Sequence, residues 1–133
     1  MIVVDTNVLL YLWLRTDQSR EVDELYARDP EWIAPMLWRS EFRNALLLYV
    51  RKEMMTFDQV MYAIERAEEQ MQNHEHMVDA ESVMRLAIES GCSAYDCEFV
   101  ALAEALGVPL VTSDRRVLDR FPKIAQPLSD SIH

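Results

Sequence analysis

Four acids in this chain stand where a carboxylate is costly. Asp5 follows directly on the apolar run Ile2-Val3-Val4, and Asp114 follows Leu110-Val111-Thr112-Ser113 in the same way. Glu41 falls inside the arc of Trp38, Phe42, Ala45, Leu46 and Tyr49, with Leu48 flanking it on the far side, and Asp96 shares a face with Phe99, Val100 and Ala103. Spacings of three, four and seven place such residues on one side of a helix. A desolvated carboxylate needs a partner or a task. Asp5 could simply cap the helix after it. Glu41 could pair with Arg39 or Arg43, and Asp96 could offset a helix dipole. If the four converge instead, they cannot share a half-buried cleft without raised pKa values or a bound cation. Oxygen-only donors favour Mg²⁺ or Mn²⁺ over zinc. Such ions assist the hydrolysis of phosphodiesters without a His or Lys base.

The elements that must position these acids follow from the apolar pattern. Ile2 to Val4 lack polar alternation and read as a strand buried on both faces, as in a parallel sheet. Val8 to Trp13 reads as a short apolar helix, and Glu21 to Tyr26 as a second helix, preceded by Ser19 and ended by Asp29-Pro30. Trp32-Ile33-Ala34, stopped by Pro35, reads as a second strand, and Leu37 to Lys52 as an amphipathic helix. Thr56 and Gln59 have capping-box spacing. They open a helix to about Gln70 with the stripe Phe57, Val60, Met61, Ile64 and Ala67. His74-Glu75-His76 reads as a solvated loop. Asp79-Ala80-Glu81 opens a helix over Ser82 to Glu89, closed by Gly91. Ser93 starts another that Gly107 stops; on it Asp96 faces inward, and Glu98 faces water with Ala101 and Ala105. Val108 to Thr112 is a third buried strand, with Pro109 tolerated near its start. A helix over Arg115 to Phe121 and an edge strand within Lys123 to Leu128 complete the chain. Helices alternating with short apolar strands imply an α/β fold, a three-layer sandwich with a mostly parallel central sheet flanked by helices. Right-handed crossovers bring the carboxyl ends of its strands to one side, where Asp5 and Asp114 would share an edge.

Composition narrows the function classes. At 133 residues, half of them apolar, the chain is expected to form one domain over 1–133. The run Val8 to Leu14 falls far short of the ~20 residues of a membrane helix, and no basic segment precedes it. Cys92 and Cys97 lack zinc-type partners and read as reduced thiols of a cytoplasmic protein. With only Gly91 and Gly107, the chain has no phosphate-cradling glycine loop for a nucleotide cofactor. A net charge of −10 argues against a protein that coats nucleic acid through a basic surface. It leaves room for an enzyme that meets phosphates through metal ions.

Val3-Val4-Asp5-Thr6-Asn7-Val8-Leu9, Ser40-Glu41-Phe42-Arg43-Asn44-Ala45-Leu46, Ser93-Ala94-Tyr95-Asp96-Cys97 and Leu110-Val111-Thr112-Ser113-Asp114-Arg115-Arg116 occur in order over nearly the whole chain. Together they resemble a PIN domain, and in length and motif order the VapC-type toxin ribonucleases. The resemblance implies a Mg²⁺- or Mn²⁺-dependent endoribonuclease with Asp5, Glu41, Asp96 and Asp114 as catalytic metal ligands, supported by Thr6, Asn7 and Thr112. It also implies an RNA substrate, a homodimer, and a cognate antitoxin whose tail enters the active-site groove. The Phe57–Ala67 and Trp38–Tyr49 helices are the candidate surfaces for those protein partners. Some relatives carry a further acid just after the last Asp, where this chain has Arg115 and Arg116. Two other classes fit parts of the pattern. One is a non-catalytic RNA- or protein-binding scaffold on the same fold. The other is a phospho-accepting aspartate domain, which commonly wants a Lys that neither Lys52 nor Lys123 is placed to supply.

Overall fold

The computed structural model describes residues 1–129; the last four residues of the domain expected over 1–133 lie outside the described residues. Among the described residues, five short strands form one all-parallel sheet in the order β3-β2-β1-β4-β5. They are β1 (Ile2–Val4), β2 (Trp32–Pro35), β3 (Glu75–His76), β4 (Leu110–Thr112) and β5 (Ala125–Pro127). β1 is central because all three of its residues are apolar and can be buried on both faces. Val3 pairs with Ile33 on one side and Leu110 on the other.

Helices α1 (Thr6–Trp13), α2 (Ser19–Arg28), α3 (Trp38–Arg51) and α4 (Phe57–Met71) pack on one another, with α1 and α4 also touching the sheet. Helix α6 (Ala94–Leu106) lies across β1, β2 and β4 and carries α5 (Ala80–Ser90) on its back, while α7 (Arg115–Arg120) leads into β5. This is the three-layer α/β sandwich. Its core runs through Val3, Val4, Leu9, Trp32, Trp38, Phe42, Leu46, Val100 and Val111, all under 2 % exposed.

The helix boundaries have local causes. Thr56 and Gln59 close the capping box of α4, each side chain accepting from the other's backbone N–H. Asp79 and Ser93 cap α5 and α6, and Gly91 and Gly107 end them at φ of 77° and 67°, a region costly for residues with a Cβ. Three local expectations change. Glu75 and His76 form an edge strand on β2 rather than a solvated loop. Phe57 is 72 % exposed, so α4 packs through Ala63, Ala67 and Met71. Leu48 is also exposed, which leaves Glu41 at the rim of the apolar arc rather than inside it.

Candidate active site

The strand order decides where a site can form. From β1 the chain builds outward through β2 and β3, then returns to lay β4 and β5 on β1's other side. The two windings diverge between β1 and β4, and a crevice opens beyond the carboxyl ends of the strands at such a switch point. Asp5 leaves β1 and Asp114 lies two residues beyond β4, so both acids stand at that switch point.

Each acid is held by a local device. Asp5 is the N-cap of α1: its Oδ1 accepts from the Thr6 N–H at 2.6 Å, while Oδ2 accepts from Thr112 Oγ1 at 2.6 Å. The capping alternative and the site reading are therefore both realised in one residue. Thr112, 1 % exposed, also accepts from the Asp114 N–H, so one hydroxyl ties the two strand ends together. Asp114 caps α7 by accepting from the Val117 N–H. Glu41 takes neither Arg39 nor Arg43. Those arginines turn to Glu68 and Glu75, and Glu41 accepts from Thr6 Oγ1 at 2.7 Å. Asn7 is exposed in the first turn of α1. Asp96 sits half-buried in the first turn of α6.

The electrostatics join all four acids. Burial pushes the Asp5 carboxyl above its ordinary range; its hydrogen bonds from Thr112 and Thr6 pull the other way, and the charges of Asp114 and Asp96 raise it further. Glu41 is raised mainly by burial, against its Thr6 hydrogen bond, and then by Asp5, Asp96 and Glu98. None of the four enters a salt bridge among the described residues. Carboxylates whose charges raise Asp5 and Glu41, with no salt bridge to any of the four among the described residues, suit a hard cation in chemistry. No three acidic, His or Cys side chains among the described residues are already gathered as a metal cage. Repulsion between uncompensated anions opposes such a gathering.

Glu98 is the residue that sequence reasoning misplaced. It is half-buried, and its charge acts on Glu41. Cys97, Phe99, Val100, Ala101, Leu102 and Ala103 of α6 are all buried, so this part of the helix has little water-facing side to give. Ala101 accordingly lies inside, where an outward position was expected.

The PIN domain family model matches residues 2–124. Ribonuclease VapC3 of Pyrobaculum aerophilum is 26 % identical over 129 residues, covering 95 % of this chain and 98 % of that protein. The crystal structure of PAE2754 from the same organism superposes with a TM-score of 0.79 at 22 % identity, covering 98 % of this chain and 85 % of that one.

Proposed function

The chain belongs to the PIN domain family, and from that premise we propose that it is a divalent-metal-dependent endoribonuclease, the toxin of a toxin–antitoxin pair. The observation that carries the reading is Asp5. It is fixed at the switch point by Thr6 and Thr112, in the field of Asp114 and Asp96, and it enters no salt bridge among the described residues. Asp5, Glu41, Asp96 and Asp114 would hold Mg²⁺ or Mn²⁺. The similarity to Ribonuclease VapC3 supports RNA as the substrate. When bound, the ion supplies Lewis-acid polarisation of the phosphodiester and a more acidic water. The chain's own part is positioning. Thr112 keeps one Asp5 oxygen aimed and ties it to the Asp114 backbone. Thr6 fixes the other Asp5 oxygen through its N–H and Glu41 through its hydroxyl. Asn7, exposed beside Thr6, is free to meet substrate.

For the partners, the reading extends to a homodimer and to a cognate antitoxin in the cytoplasm. A cavity of about 610 Å³ lies where the end of α1 meets the end of α3 and the start of α4, walled by Trp13, Leu14, Tyr49, Met54, Met55 and Tyr62. Leu47, Leu48 and Phe57 extend the exposed apolar surface of α3 and α4. An amphipathic antitoxin helix suits this groove. No helix among the described residues is long and apolar enough to cross a membrane.

The test is cleavage of structured RNA by the purified protein with Mg²⁺ and with a chelator. Internal cuts appear only with Mg²⁺, and Asp5→Asn lowers the rate by at least ~100-fold, the scale of losing a group that stabilises transition-state charge. Mg²⁺ also raises the melting temperature of the wild type and leaves that of Asp5→Asn unmoved. Cleavage that ignores the chelator, or an Asp5→Asn variant as active as wild type, sinks the reading. The scaffold alternative requires the opposite: full cellular effect from Asp96→Asn.

A further inference from the structure

We propose that the cleft beside Glu98 is a base-reading subsite, which takes an unpaired nucleobase bearing an amino group next to the acids that would cut the chain. The inference rests on the nuclease reading above and adds which feature of the RNA is recognised.

A cavity of about 250 Å³ opens where β2 and β3 end against α5 and α6. Its walls are Met36, Met77, Val78 and Met84, and its polar groups are His76 and Glu98. Met36 directly follows β2 and donates its N–H to the His76 carbonyl at 3.1 Å, so the two parallel strand ends are fastened side by side. All five strands run parallel, so this is the same edge of the sheet that bears Asp5 and Asp114. Glu98 connects the two places. It lines the cavity, it follows Asp96 by two residues on α6, and its charge reaches Glu41.

The cavity's chemistry selects its occupant. Its volume is below the ~300–1,000 Å³ of sites for drug-sized ligands, so it suits a single ring system. Met36, Met77 and Met84 are 47, 84 and 51 % exposed, an unusual amount of thioether surface to leave in water. Methionine is flexible and polarisable and packs well on flat π faces. Flipped bases are held in this way between apolar side chains, with hydrogen bonds to their pairing edge. An ionised carboxylate only accepts hydrogen bonds. It repels phosphate, so the cavity suits the base rather than the backbone. Adenine, cytosine and guanine can present an amino group to Glu98. Uracil has none and sets two carbonyl oxygens around its single N–H, which the carboxylate opposes.

The experiment follows the methionine methyl resonances of the full chain while adenosine, cytidine, guanosine and uridine monophosphates are added one at a time. Met36, Met77 and Met84 shift with the three amino-bearing nucleotides, and uridine monophosphate binds at least ~10-fold more weakly, about the discrimination of one good base contact. Glu98→Gln, whose amide both donates and accepts, brings the ratio towards one, and Glu98→Asp keeps it above one. Absent shifts at these methyls, or equal affinity for all four nucleotides, overturns the subsite. Shifts that depend on protein concentration without nucleotide assign the face to a second copy of the chain and also overturn it. RNA cleavage run on the same samples separates the two claims. Methyl shifts without cleavage defeat the nuclease reading alone, and cleavage without methyl shifts defeats the subsite alone.

Discussion

Thr112 concentrates several functions in one hydroxyl. It donates to Asp5 at 2.6 Å and accepts from the Asp114 N–H at 3.0 Å, and it is almost wholly buried. A carboxylate that is to meet a cation must be held in one orientation, and groups that orient ligands in this way typically change metal affinity 10–100-fold when lost. Thr112→Val keeps the strand's volume and branching but removes the donor to Asp5 Oδ2, leaving only the Thr6 N–H on the other oxygen. We expect Mn²⁺ binding to weaken by about 10-fold or more, at a stability cost of about 1 kcal/mol. Thr112→Ser, which restores the hydroxyl, should recover most of the affinity. Titration calorimetry with Mn²⁺ on the three proteins checks this. Unchanged affinity in Thr112→Val would mean that Asp5 is not a ligand or does not need aiming.

At the scale of elements, what could be read from the chain is what is encoded locally. The run Ile2-Val3-Val4 carries its own burial, the Thr56–Gln59 box its own start, and Gly91 and Gly107 their own stops. The two acids at strand ends were legible because each followed an apolar run. What was not legible depends on residues far away in sequence. β3 is a strand only because β2 offers it a backbone edge and because Glu75 is bound from α3. Glu75 accepts from Trp38 Nε1 at 2.8 Å and from Arg39 Nε and Nη2 at 2.6 and 2.9 Å. Those partners lie 37 and 36 residues away, and no period in the sequence announces them. Glu98 escaped for a related reason: α6 packs against both the sheet and α5, and the spacing of its own residues does not announce the second contact. The Glu75 network makes a prediction about the edge strand. Hydrogen bonds from Arg39, then Trp38, hold the Glu75 carboxyl below its ordinary 4.5 against an opposing burial effect. A depressed acid contributes stability above its unfolded pKa and loses it as pH falls through the folded value. Glu75→Gln should therefore cost about 1–2 kcal/mol at pH 7. The gap to wild type should narrow as pH falls through and below about 4.5. Urea melts of both proteins across that range test it. A gap independent of pH would mean that Glu75 acts through packing rather than charge.

The whole molecule carries a charge of −10, and this shapes how it can meet a polyanion. A protein that grips RNA through Lys and Arg releases one counterion for each phosphate it neutralises, so its affinity falls steeply with salt. Two arginines follow β4 at the carboxyl edge of the sheet. Arg116 donates to the Gly91 carbonyl, and Arg115, exposed at the start of α7, has the carboxylate of Asp114 as its chain neighbour. If those two arginines supply the phosphate contacts, the slope of log affinity against log salt is about −1.4 for single-stranded RNA, about −0.7 per contact. Between 50 and 200 mM KCl at constant Mg²⁺, the KM for a short unpaired RNA should then rise less than about 10-fold. Arg115→Gln should flatten the dependence further, by a slope of about 0.7. A basic RNA-binding surface would instead lose ~10³ or more over the same interval. Such a loss would mean that the binding surface is built elsewhere, or by an assembly of chains, and not at this acidic edge. A shallow slope combined with a sharp requirement for Mg²⁺ would place the charge neutralisation in the bound ions, the arrangement expected of a chain that brings acids rather than bases to its substrate.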